Sequence, residues 1–188
     1  MQGIPENLGI IPLTVDYIFD HIKKSDREFL LRVSYMEIYN EEIGDLLSNM
    51  QKLKVHHDVK RGIYVGHLKE EIITSKEQVL DLMDLGQNNR KIGETGMNEK
   101  SSRSHSIFKI IIESRDRLER KSTGAVKVST LNLVDLAGSE RISNTKAEGM
   151  RKIEGAHINK SLLGKFHQNL FKKFDFNLIF EKLKLWGK

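Results

Sequence analysis

No cysteine occurs in this 188-residue sequence, which excludes disulfides and removes the commonest ligand of structural zinc. The seven histidines offer no metal spacing beyond the adjacent His56 and His57, and that pair reads as a solvated loop feature. No apolar run approaches the roughly 20 residues that a helix needs to span a bilayer, so no membrane partner is expected. Met1 to Leu8 has neither the basic start nor the apolar core of a signal peptide. The expected compartment is therefore cytoplasmic or nuclear.

An excess of one charge is missing from most of the chain as well. The net charge is +5, but Lys160 to Lys188 holds seven lysines against Asp175 and Glu181, and the preceding 159 residues balance at 24 basic against 24 acidic. The basicity thus belongs to the C-terminal stretch and does not mark a polyanion-binding face on the body, so no nucleic-acid partner is expected. What is present, 38% hydrophobic and 30% charged residues, suits one domain with a buried core.

Hydrophobic periodicity lays out an α/β chain. Pro12 opens a helical stripe of Val15, Ile18, Phe19 and Ile22, with proline in the favoured first turn. Phe29 to Tyr39 alternates as a strand, and Glu41 to Leu47 follows as a short helix. Ser75 with Gln78 forms a capping box before Val79, Leu82 and Met83, and that helix is expected to stop at Gly86, beside Asn88 and Asn89. His105 to Glu113 alternates strictly as a half-buried strand. A charged hairpin loop, Ser114 to Thr123, leads to a strand over Val126 to Val134, apolar enough at its end for a buried central position. Helical spacing returns at Ile158, Leu162, Phe166 and Leu170.

Two loops carry the chemistry. Asp135-Leu-Ala-Gly-Ser-Glu140 follows the apolar strand directly. A carboxylate at the carboxyl end of a strand can hold a magnesium-bound water, and Gly138 lets backbone N–H approach a phosphate oxygen. By itself this also fits an ordinary strand-end turn. Asn98-Glu-Lys-Ser-Ser-Arg-Ser-His105 lies between the capped helix and the alternating strand. Its hydroxyls could complete a magnesium shell and Arg103 could pair with an acid, while a solvated Ser-rich loop is the plain alternative.

Together, in this order and each beside a strand, the two segments resemble switch I and switch II of the kinesin motor domain. Val33-Ser-Tyr-Met-Glu-Ile-Tyr-Asn-Glu41, Asp45-Leu-Leu47 and Ile158-Asn-Lys-Ser-Leu162 resemble kinesin segments in kinesin order. The likeness covers roughly residues 9 to 164. Arg27 to Tyr35 and Val126 to Val134 look most like the centromere-associated protein E class. The resemblance implies an α/β fragment of the P-loop NTPase-type motor fold, a mostly β central sheet flanked by helices. It divides the chain into a partial motor domain, 1–164, and a divergent Lys-rich tail, 165–188.

By the same resemblance the chain acts on ATP with Mg2+ and on microtubules, as a cytoskeletal protein and, in that class, at the kinetochore and spindle. Ser102 would approach magnesium, Ser101 would help place the attacking water, and Asn98 would reach the phosphate region. Asp135 would hold magnesium through water, and Gly138 would bond the γ-phosphate. Arg103 and Glu140 would form the salt bridge that closes the switches. Lys146, Arg151 and Lys152, and a second group of Lys60 and Arg61, would face acidic tubulin.

One motor part has no counterpart. No Gly-x-x-x-x-Gly-Lys-Ser/Thr loop occurs, and the resemblance implies a start at Met1 just downstream of it, without the strands that precede it. Charge-assisted hydrogen bonds contribute roughly 1.5–3 kcal/mol each, so losing three would weaken phosphate binding by about 5 kcal/mol, a factor above ~10³. Guanine nucleotides fare no better, because Asn159-Lys160 is followed by Ser161 and Leu162, where a guanine-reading motif needs Asp at 162. After Leu163 the likeness breaks off. Catalysis by this chain alone is therefore not expected. The alternatives to a motor are a non-catalytic microtubule-binding fragment and an unstable pseudogene product with unpaired sheet edges.

Overall fold

A computed structural model describes residues 3–4, 6–48, 50–59, 62–92, 104–117 and 125–137. The chain divides into two units, one of residues 1–54 and 65–137 and another of residues 55–64 and 138–188.

The first unit is organised by its longest strand. A run of β-branched and aromatic residues makes β3, Arg27–Tyr39, and alternation sends Leu31, Val33 and Tyr35 to one face, where they are buried. Upstream lie a small hairpin of β1 (Gly3–Ile4) and β2 (Asn7–Leu8) and the helix α1, Ile10–Lys23. The expected stripe on α1 does pack on the core, with Ile11 and Val15 buried and Ile18, Phe19 and Ile22 against them.

Downstream of β3 the expected short helix is not formed. Asn40 and Glu41 both adopt positive φ, 50° and 65°, a tight reversal that suits a two-residue hairpin. The chain returns as β4, Glu42–Asp45, with Tyr39 opposite Glu42 and Met36 opposite Asp45. Glu41 to Leu47 has helical composition, but cross-strand hydrogen bonding to β3 overrides that local preference. The buried Asp45 carboxylate then ties down the following turn, accepting from Leu47 N–H (2.8 Å), the Ser48 hydroxyl (2.6 Å) and Lys69 N–H (2.9 Å).

β7 (Glu71–Ile73) pairs antiparallel with β3, Leu31 opposite Ile73. At the start of α2, Gln78 N–H donates to Ser75 Oγ at 3.3 Å, as the capping box requires, while Gln78 Oε1 accepts from Thr74 N–H at 2.7 Å. α2 does not stop at Gly86 but runs Lys76–Ile92. Gly86 is a packing glycine: a Cβ there would fall 2.6 Å from Tyr35 Cε1, so only glycine lets the helix lie this close to the sheet. The buried stripe Val79, Met83, Gly86, Arg90 therefore continues through it.

β8, His105–Asp116, and β9, Lys127–Asp135, complete a sheet ordered β4-β3-β8-β9 with β7 also on β3. The alternation predicts a half-buried β8, yet Ile107, Phe108, Ile110 and Ile111 from both of its faces are buried, in a strand paired on both edges, by β3 and β9. β9 was expected in a central position. Among the described residues it pairs with β8 alone, and Val126 and Val128 are exposed, with only Leu131 and Leu133 packed on the core. Of the expected loop from Ser114 to Thr123, the first residues extend β8, and 118–124 lie outside the described residues. So does the helix expected around Ile158 to Leu170.

The described residues of the second unit, 55–59 and 62–64, supply all but the last residue of a hairpin of β5 (Val55–Asp58) with β6 (Gly62–Val65). His56 and His57 are thus exposed strand residues rather than loop residues, and the His56 ring stacks on Tyr64 at 5.5 Å.

Candidate functional site at the joined ends of two strands

Antiparallel pairing places the start of β8 beside the end of β9. The register sets Ser106 opposite Asp135, and Glu37 of β3 opposite Ser106. His105, the last residue of the Ser-rich motif, begins β8 and Asp135, the first of the Asp-Leu-Ala-Gly motif, ends β9, so these flanks of the two motifs share one end of the sheet. That neighbourhood follows from the ladder alone.

Asp135 is the one residue of the expected phosphate and magnesium set that is described. It closes β9, half-buried, across from Ser106. Asn98, Ser101, Ser102, Arg103, Gly138 and Glu140 lie outside the described residues, as do Lys60, Arg61, Lys146, Arg151 and Lys152. The described flanks of the two loops are in direct contact: Ala137 N–H donates to His105 Nδ1 at 3.0 Å, with both residues buried.

A second tie comes from α2. The Arg90 guanidinium donates from Nη2 to Ser104 Oγ at 2.9 Å and to Ser104 O at 3.1 Å, and from Nε to Ser104 Oγ at 3.2 Å. Both side chains are almost wholly buried, 5% and 1% exposed, so this fork holds the last residue before β8. Sequence reading missed Arg90, and its signal was available: it stands on the buried stripe of α2 once that stripe is followed past Gly86. Below it, Tyr35 packs edge-on against Phe108 at 5.3 Å. Burial pushes the Tyr35 phenol above its usual 10.0, with Asp135 and Glu37 adding to the rise while Arg90 and a hydrogen bond with Ser106 oppose it.

This donor set can be tested against magnesium and nucleotide. Among the described residues no three metal-ligating side chains gather, and a single strand-end carboxylate suits Mg2+, which keeps most of its water and binds through one or two carboxylates plus phosphate oxygens. Asp135 therefore fits an outer magnesium contact.

The model of the kinesin motor domain family matches residues 1–171. The chain belongs to the kinesin motor family. It is 57% identical over 165 residues to the kinesin-like protein KIN-7L of Oryza sativa subsp. japonica, with 87% of this chain and 26% of that protein covered. To centromere-associated protein E of Homo sapiens it is 53% identical over 167 residues, 86% of this chain and 6% of that one. Among solved structures, a fast kinesin is matched at a TM-score of 0.73 and 44% identity over 85% of this chain and 45% of the other. A KIF14 dimer solved with AMP-PNP in complex with a microtubule is matched at a TM-score of 0.73 and 37% identity, covering 87% and 48%. The kinesin resemblance and the α/β motor fold are thereby shown, and this chain spans less than half of each of these relatives.

Proposed function

We propose that this kinesin chain supplies the γ-phosphate-sensing switch region of an ATP-dependent microtubule motor. The observation that carries the reading is that the described flanks of the two motifs meet at one end of the sheet, with Ser106 opposite Asp135 and the Ala137 N–H bonded to His105. Two loops so placed can close on one ligand. In this reading Asp135, through water, and Ser102 would hold magnesium, Ser101 and Asn98 would address water and phosphate, Gly138 would donate its N–H, and Arg103 with Glu140 would latch the loops. The bound nucleotide would supply a cleavable phosphoanhydride and the magnesium its charge neutralisation.

No Gly-x-x-x-x-Gly-Lys-Ser/Thr loop stands among the 188 residues, so the α- and β-phosphates find no cradle of that kind in this polypeptide. Loose holding removes the positioning advantage that in-line attack needs. In this reading the polypeptide by itself would hold nucleotide too loosely to turn over ATP, and it would meet tubulin through its cations. Lys146, Arg151 and Lys152, with Lys60 and Arg61, are its microtubule-facing cations.

The purified chain should pellet with stabilised microtubules at low salt, less so after joint replacement of Lys146, Arg151 and Lys152 by alanine, and should show no microtubule-stimulated phosphate release. Failure to pellet would overturn the tubulin assignment. A turnover that rises with microtubules and vanishes in Glu140→Ala would overturn the catalytic one.

A further inference from the structure

His105 closes the Ser-rich motif and has no assigned part in phosphate chemistry, yet its ring is buried at the meeting point of the two loops, 6% exposed. Its Nδ1 accepts the Ala137 N–H at 3.0 Å across 32 positions of sequence. A neutral imidazole has one donor and one acceptor nitrogen, so an accepting Nδ1 places the proton on Nε2. The Nδ1 lone pair is thereby committed to the backbone and is not open to a metal or a substrate proton.

Ala137, whose N–H is so held, lies immediately before Gly138 in sequence, and Ser104, immediately before His105, is held by the Arg90 fork. We propose that His105 is a positioning residue, a pivot that binds the base of the second loop to the base of the first through one specific tautomer. With the ring seated on β8 and the Ala137 peptide hung on it, a displacement of either loop base must carry the other or break this bond. The inference deepens the switch reading and rests on it for its functional meaning.

The full 188-residue chain, free of nucleotide, tests this by NMR. The His105 resonances, identified by their loss in His105→Asn, should show an unprotonated Nδ1 and a protonated Nε2, and the Ala137 amide should exchange slowly. An Asn side chain can place its amide oxygen close to where Nδ1 stands, whereas Gln reaches toward the Nε2 position. His105→Asn should therefore retain Ala137 protection, and His105→Gln and His105→Ala should each lose about tenfold, the factor expected for one buried hydrogen bond. Protection across residues 108–112 reports whether β8 still pairs.

A protonated Nδ1, Ala137 exchange as fast in the parent as in His105→Ala, or no distinction between Asn and Gln in folded variants would overturn the proposal. If the variants lose their strands, the tautomer of the parent chain decides alone. Because nucleotide and microtubules are absent, the outcome is independent of the pelleting and turnover measurements that test the switch reading.

Discussion

Gly86 of α2 rests on the ring of Tyr35, so close that a Cβ at that position would overlap the ring and touch Leu46 Cβ at 3.4 Å. Helix propensity favours alanine over glycine by about 1 kcal/mol in a helix interior, but overpacking a core costs roughly 1–3 kcal/mol. Overlap with a ring wedged against Phe108 should win. Gly86→Ala is expected to lower the urea midpoint, with a net loss of about 1–2 kcal/mol. In a Tyr35→Leu background the same substitution should be near neutral or stabilising, since the obstructing ring is gone. Additive losses in the double variant would count against this contact.

The Arg90 fork on Ser104 leads to a second expectation. Lysine carries a single ammonium and cannot reproduce three hydrogen bonds from a planar fork, and truncation leaves the buried Ser104 groups unsatisfied at about 1–3 kcal/mol. Arg90→Lys should therefore destabilise nearly as much as Arg90→Ala, and both should speed amide exchange at 104 and 105 more than in the middle of β3. Full rescue by lysine would show that charge alone matters there.

Tyr35 provides a pH signature. Its phenol is raised above 10.0 chiefly by burial, so in the folded chain it keeps its proton at a pH where the unfolded chain has lost it. The stabilisation is complete below pH 10 and falls as pH rises from there through the elevated folded value, because the unfolded state then binds fewer protons. An absorbance titration of phenolate should show a late component among the four tyrosines. Tyr35→Phe should abolish that component and flatten the loss of stability above pH 10. A titration unchanged in Tyr35→Phe would refute the assignment.

The charge distribution yields a fourth. Lys165 to Lys188 carries most of the excess positive charge, and exposed charges act over a Debye length of about 8–10 Å at moderate salt. Removing residues 165–188 should weaken microtubule binding at low ionic strength and reduce its salt dependence. If the shortened chain pellets as tightly, with the same salt dependence, the cations of the body carry the contact.

Much of this kinesin chain is legible in its own sequence, because the features concerned are local. The stripe of Val15, Ile18, Phe19 and Ile22, the alternation through β3 and β8, and the capping Ser75 each depend on neighbours within a turn or two, where periodicity speaks directly. The two kinesin-like motifs and the family they point to were likewise readable, since their residue types and spacing lie in contiguous chain. Asp135 was found at its strand end by the same means.

Only the tertiary structure decided what depends on residues far apart in the chain. Glu42 to Asp45 became a strand because β3 offered a hydrogen-bonding edge, against the local helical composition. Gly86 continued a helix instead of ending it because an aromatic ring 51 positions earlier needed the space of its missing side chain. Strand order set how deeply β8 and β9 are buried. His105 meets Ala137 only because antiparallel register brings one strand's beginning to another's end, and Arg90 meets Ser104 only because α2 carries its guanidinium to the residue before β8, juxtapositions that no local period encodes.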